Sequence, residues 1–284
     1  MFDRVLICTD FSDGLLRLGQ FLESLSLGGM KQIVFLHIVS LSEKGVIPRV
    51  DVEKMKQARS RLEGAVGESP AGVEVKIEIQ SGQIVQKILQ AAQEYQSELI
   101  VVGSQSQTLF TEKLMGSTMA ALSQQTAIPL FVIRPQLISA YTSEELNLRC
   151  QHLFRSLLLP YDDSEPAKYL VQQVKHLAGK QTGRFLERCE LCWVEDSLTP
   201  PQAYNTLSQL KIDLEEVNLQ VEIGMRQGHS CSTEILQAAQ TADVSAIAVS
   251  TGTIGKLQEW FVSSFASELL RHSCRPVIFF PPRR

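Results

Sequence analysis

The residues Ile-Leu-Gln-Ala-Ala-Gln occur twice in this chain, at Ile88–Gln93 and at Ile235–Gln240. The copies stand 147 positions apart. A hexamer of helix-forming letters proves little alone, so the flanks decide. At the same spacing Gly103 meets Ser250, Gly116 meets Ser263, Ser117 meets Ser264 and Pro129 meets Pro276. Each proline opens an apolar run, PLFVIRP and PVIFFPP. With a few residues of drift, VLICTDFS at Val5–Ser12 pairs with LLLPYDDS at Leu157–Ser164, each an apolar run that ends in Asp, one residue, then Ser. Landmarks in one order on both halves indicate an internal duplication. Whatever one half folds into, the other must repeat, and 284 residues then divide into two ordinary domains.

Each half alternates short apolar runs with helical patterns. In the first, strands are expected at Arg4–Thr9, Gln32–Val39, Val73–Ile79, Leu99–Val102 and Pro129–Ile133. Helices are expected after Ser12 up to Gly28-Gly29, at Asp51–Val66 with Asp51 as N-cap, at Ile84–Tyr95 and across Thr118–Gln125. The second half repeats this, with strands near 153–159, 186–194, 217–225, 244–249 and 276–280 and helices near 164–178, 201–214, 232–242 and 260–272. Strands alternating with helices call for a parallel sheet covered on both faces, an α/β fold. The hexamer then lies on the same helix of two homologous domains, with Ile, Leu and one Ala on the sheet and the Gln residues in water. Domains are expected at 1–135 and 152–284, joined by a linker at 136–151 in which Thr142 and Glu145 form a capping box.

Composition removes several function classes. At 44% hydrophobic the chain can build packed cores. A net charge of -4 argues against a nucleic-acid binder. No stretch has the roughly 20 apolar residues of a membrane helix, and MFDRVLICTDF lacks the pattern of a signal peptide. The expectation is a cytoplasmic protein without a membrane partner, its scattered cysteines buried thiols.

In open parallel sheets ligands bind beyond the carboxyl ends of the strands, where strand order reverses. There the first half brings Thr9-Asp10-Phe11-Ser12, His37-Ile38-Val39 and the loop GSQSQTLFTEKLMGST from Gly103 to Thr118. Glycine lets backbone N–H groups approach an anion, and a helix N-terminus supplies unpaired N–H groups and a positive dipole end. Ser117 and Thr118 add hydroxyls, and Asp10 could accept hydrogen bonds from a ribose. On spacing alone the plainer reading stands ahead, with Gly103 and Gly116 as turn residues and Ser117 as a helix cap.

The set Thr9-Asp10-Phe11-Ser12, HIV at 37–39 and G103-x2-S106-x9-G116-S117 resembles the universal stress proteins, whose nucleotide-binding members carry G-x2-G-x9-G-[ST]. The resemblance covers each half nearly end to end, so the chain is similar to a tandem universal stress protein. It implies two five-stranded parallel sheets of order 3-2-1-4-5 with helices on both faces. It implies ATP with Mg in the first domain. Thr9, Asp10 and the backbone of Ile38 would take the adenosine, and Gly103, Ser106, Gly116, Ser117 and Thr118 the triphosphate. It implies a stress-response switch without catalytic residues and with at most slow hydrolysis, or a nucleotide-independent interaction module of the same family. It also implies that the last strands pair within the chain and that two chains form a homodimer; the stress-response partners stay unnamed.

Ser106 departs from the family's second glycine. The second half keeps only the spacing, S250-x2-T253-x9-S263-S264, with Asp162 at the ribose position, Asp163 beside it and Trp193 taken as the counterpart of Ile38, where it either fills an adenine pocket or packs in the core. No ATP is expected there. Cys189-Glu-Leu-Cys192 is rejected as a metal or redox motif, because residues three apart on a strand face opposite ways. TGTIGKL at 251–257 lacks the leading glycine and the hydroxyl of a phosphate-binding loop. The histidines are dispersed; His37 reads as a core residue and His229, with Cys231, as part of a loop before a helix.

Overall fold

The structure is a computed structural model that describes every residue except 13, 42–48, 104–116, 184, 196–200, 229, 251–263 and 282–284. The side chains of 117, 135, 136, 264 and 267 are also outside the description. The chain forms two compact units, residues 2–151 and residues 152–284.

The first unit runs β1 (Arg4–Cys8), a 3₁₀ helix (Leu15–Gln20), α1 (Leu22–Leu27), β2 (Gln32–Val39), α2 (Val52–Ala65), β3 (Glu74–Ser81), α3 (Ile84–Glu94), β4 (Leu99–Gly103), α4 (Ser117–Gln125), β5 (Leu130–Ile133), α5 (Pro135–Ala140) and α6 (Ser143–Gln151). The second runs β6 (Ser156–Pro160), α7 (Glu165–Lys180), β7 (Arg188–Glu195), α8 (Ala203–Glu215), β8 (Gln220–Gln227), α9 (Cys231–Thr241), β9 (Ala246–Ser250), α10 (Ser264–His272) and β10 (Val277–Phe280). Strand order is β3-β2-β1-β4-β5 in the first unit and β8-β7-β6-β9-β10 in the second, the 3-2-1-4-5 order expected for each. The pairings that build each order are parallel.

The strands at the sheet centres read as unbroken apolar runs because both faces are covered. Val5, Leu6 and Ile7 are buried in β1, and Leu157, Leu158 and Leu159 in β6. β3 lies at an edge and is half-buried along most of its length, with Glu74 exposed and Ile79 buried. The hexamers sit on α3 and α9, as their flanks require. Both alanines of each copy are buried, whereas one was expected, and the glutamines face water. Ile84, expected on the packed face of α3, is exposed at its first turn.

Asp51 caps α2, its carboxylate accepting the Lys54 N–H at 3.1 Å. Ser12 does not cap a helix, contrary to expectation. Its N–H and hydroxyl are drawn back onto Asp10, and the 3₁₀ helix begins after Gly14, which is left-handed (φ 73°). The counterpart Ser164 does cap α7, accepting the Ala167 N–H. α1 closes through left-handed Gly29 (φ 100°), as its Gly-Gly predicts.

Residues 135–151 form two helices that pack on the first unit. The capping box of α6 is present: Thr142 N–H donates to Glu145 Oε2 at 2.9 Å and Glu145 N–H to Thr142 Oγ1 at 3.2 Å. α6 lies along α1, where the Ser24 hydroxyl hydrogen-bonds Asn147 Oδ1. Leu146 and Cys150 are buried in that contact. Among the described residues no helix is long and apolar enough to cross a membrane.

Candidate functional site

The carboxyl ends of β1, β2 and β4 stand side by side, with Cys8 in register with Leu36 and with Val102. This is where strand order reverses, since β1 leads outward through β2 to β3 while β4 returns on its other side. The Thr9 N–H extends the ladder by one bond, donating to Leu36 O at 3.0 Å. Asp10 then leaves the sheet. Its Oδ1 accepts the Ser12 N–H at 2.8 Å and the Ser12 hydroxyl at 2.7 Å, an Asx turn. The turn forces Phe11 into the left-handed region at φ 69°. That conformation costs a non-glycine residue about 1–2 kcal/mol, offset by the turn's bonds and by the Phe11 ring. The ring stacks on His37 with centroids 4.0 Å apart, and the Arg61 guanidinium lies 4.4 Å from its centroid.

His37 Nδ1 is 2.8 Å from Thr9 O. A carbonyl only accepts, so this nitrogen carries the proton. Burial lowers the imidazole's pKa, and the Thr9 carbonyl only partly opposes it. His37 is therefore neutral at pH 7 and acts as a packing and hydrogen-bonding residue, as its sequence context suggests.

Thr9 is buried, Asp10 exposed, and Ile38 half-buried one residue before the end of β2. Gly103 closes β4 in register with Ile133, and Ser117 and Thr118 open α4. Thr9, Asp10, Ile38 and Gly103 thus lie at the carboxyl ends of three adjacent strands. Ser106 and Gly116 lie outside the described residues.

The second unit repeats the turn with other letters. Tyr161 N–H donates to Cys192 O at 2.9 Å, as Thr9 does to Leu36. Asp162 Oδ1 accepts the Ser164 N–H at 3.1 Å, and Asp163 takes the left-handed place at φ 61°. The Tyr161 hydroxyl donates to Asp163 Oδ1 at 3.1 Å. Burial and then that carboxylate raise its pKa well above the usual tyrosine value. These bonds correct one expectation: Trp193 is the counterpart of His37, and Val194 that of Ile38. Trp193 is buried with its ring 5.9 Å from Tyr161, so it is a core residue. Ser250 is committed to the fold, its hydroxyl donating to Phe280 O at 3.0 Å.

Cys189 and Cys192 are buried on β7, in register with Val221 and Gly224 on β8. Successive residues of a strand alternate faces, so these two point apart. Burial pushes both thiols up to about 12. Among the described residues no group of three or more His, Cys, Asp or Glu could hold a metal ion.

Sequence reasoning missed Phe11 as a left-handed residue, Arg61 stacked over it, and Arg17. The Arg17 Nη1 donates to Ile138 O at 2.7 Å and to Tyr141 O at 2.8 Å. The Asp-x-Ser pattern could have signalled the first; nothing in the letters signals the arginines.

The fold and its crevice define an open α/β domain of the doubly wound class, present twice. Residues 1–134 match the model of the Universal stress protein family, and the first domain belongs to that family. No curated protein matches the chain. Among solved structures, a universal stress protein from Archaeoglobus fulgidus DSM 4304 is 18% identical, with TM-score 0.67, over 98% of this chain and 95% of that one. A functionally unknown protein from Pseudomonas aeruginosa PAO1 is 11% identical, with TM-score 0.57, over 99% of this chain and 93% of that one. A universal stress protein solved in complex with cAMP is 11% identical, with TM-score 0.35, over 44% of this chain and 94% of that one. At these identities the two full-length likenesses are likenesses of fold.

Proposed function

We propose that the first domain binds ATP with Mg at the carboxyl ends of β1, β2 and β4, and that occupancy serves as a stress-response switch. The observation that carries this reading is the exposed Asp10 carboxylate, fixed by an Asx turn where strand order reverses and where β4 leads toward α4. Asp10 and Thr9 receive the ribose side and the Ile38 backbone the base. The triphosphate lies on Gly103, Ser106, Gly116, Ser117 and Thr118, with its charge at the N-terminus of α4. Mg is held through the phosphates. No side chain is assigned as a catalytic base, so hydrolysis is at most slow and the protein is a binding switch. The second domain, with Ser250, Thr253 and Ser263 at the positions of the three motif glycines, binds no ATP.

The test is to denature the purified protein, quantify the nucleotide released, and titrate with ATP and Mg. About one ATP per chain, lost in Asp10→Ala and Gly116→Val, supports the reading. Unchanged affinity in both variants overturns it. Two ATP per chain overturns the assignment of the second domain. A nucleotide-independent protein-interaction module has one observation in its favour: Ser12 already supplies two hydrogen bonds to Asp10, so the turn is satisfied without a ligand. Absence of ATP on release and on titration favours that reading. Light scattering checks the homodimer in either case.

A further inference from the structure

The turn that presents Asp10 leads within a few residues into a contact with the segment that ends the first unit. After the Asx turn come left-handed Gly14 and the 3₁₀ helix, whose Arg17 N–H donates to Gly14 O at 3.0 Å. The side chain of that Arg17 reaches out of the helix and donates from one nitrogen to Ile138 O and Tyr141 O, at 2.7 and 2.8 Å. Those carbonyls belong to the last turn of α5 and the residue that follows it. Helix ends leave such carbonyls without intrahelical partners, and a charged donor satisfies them more strongly than a neutral one. Tyr141 is itself covered by the Arg149 guanidinium of α6, 4.0 Å from its ring centroid. One arginine therefore ties the strand-end turn to the junction of α5 and α6.

We propose that Arg17 couples the Asp10–Ser12 turn to the α5–α6 segment, so that a nucleotide on Asp10 sets how tightly residues 135–151 are held against the first domain. The clause about nucleotide rests on the reading given above; the coupling between the turn and the segment does not. A ligand that competes with Ser12 for Asp10, or that holds the turn in its present form, shifts the 3₁₀ helix and with it the arginine's two bonds. The segment responds because it is a separate pair of short helices whose polar anchors include Arg17 and the Ser24–Asn147 bond. Asn147 makes the control, since it anchors the same segment through α1.

The experiment is alkylation of Cys150 in the full chain with iodoacetamide, followed peptide by peptide by mass spectrometry. Cys150 is fully buried in α6, so its labelling reports opening of the segment. Loss of the charged anchor in Arg17→Met speeds labelling roughly tenfold. Asp10→Ala changes the rate in the wild-type and Asn147→Ala backgrounds and not in the Arg17→Met background. That pattern supports the coupling whether or not ATP binds. An Asp10→Ala effect that adds in all three backgrounds, or none in any, overturns it. If Arg17→Met does not fold, Arg17→Lys, which keeps the charge and shortens the reach, takes its place in the same cycle. In parallel, ATP binding is measured by equilibrium dialysis. ATP that binds and changes Cys150 labelling about fivefold or more supports the coupling. ATP that binds without changing it overturns the coupling and leaves the nucleotide reading intact. No binding removes the nucleotide reading, and the variant cycle alone then decides.

Discussion

One substitution made at two glycines should move stability in opposite directions. Gly28 follows α1 with φ −73° and ψ 1°, a conformation open to any residue. A Cβ there would stand 2.8 Å from Cys150 O, 3.2 Å from Leu25 O and 3.3 Å from Gln151 O. These are backbone atoms, and two of them belong to the end of α6. Gly64 lies on the exposed side of α2 with nothing within 4 Å of its Cβ position. Glycine to alanine removes unfolded-state freedom worth about 0.4–1 kcal/mol at either site. At Gly64 that gain stands alone, so Gly64→Ala stabilises by about 0.5–1 kcal/mol. At Gly28 it is set against overpacking of about 1–3 kcal/mol. The unfolded-state contribution cancels between the variants, so their separation isolates the collision with α6 at about 1–3 kcal/mol. For a domain of this size that corresponds to roughly 2–12 °C in Tm. Thermal and urea unfolding of the full chain, free of nucleotide, measure it. Gly28→Ala should also speed Cys150 labelling. Equal shifts of the same sign would refute the account of α6 as docked on the Gly28 backbone.

Three further outcomes follow from the structure. Asp51→Ala strands the Lys54 N–H at the start of α2 and should cost about 1 kcal/mol, read from urea unfolding; no loss would mean that the cap contributes nothing. Cys189 and Cys192, both raised to about 12 by burial, should resist a disulfide reagent at neutral pH in the native protein and react fully in guanidinium; native reactivity would contradict their burial. Burial also raises the carboxyl of Glu190 in β7, against the opposing pull of Arg226 at 3.7 Å, while Glu222 adds to the rise, Arg188 opposes it and the neutral Cys192 thiol lies near. The native state then binds more protons than the unfolded chain between the usual carboxyl value and the raised one, so stability falls as pH rises through that window. Glu190→Gln should flatten that part of the pH–stability curve, and an unchanged slope would sink the assignment.

What the letters could carry and what they could not is visible in how the two halves align. One spacing of 147 positions relates α3 to α9, β4 to β9, α4 to α10 and β5 to β10. Ahead of α3 the spacing drifts, and β2 stands 156 positions from β7. Trp193 was misaligned in that drifting region. A slip of one residue in a strand exchanges its faces, so the misalignment left a crevice place open for Trp193 beside a core one, and the fold gives it the core place beside Tyr161. The Asp-x-Ser landmark was legible because its letters make the bond: an Asp carboxylate accepting from the residue two positions on gives Phe11 and Asp163 the same left-handed backbone, at φ 69° and 61°. Pro135 at the first turn of α5 was a helix signal that a linker reading passes over. Arg17 carried no signal at all. Its partners are main-chain carbonyls, and every residue has one, so no pairing of letters marks Ile138 and Tyr141 as its acceptors. Hence the strand-end crevice could be placed from the sequence, while the bond joining it to the end of the domain could be found only in the fold.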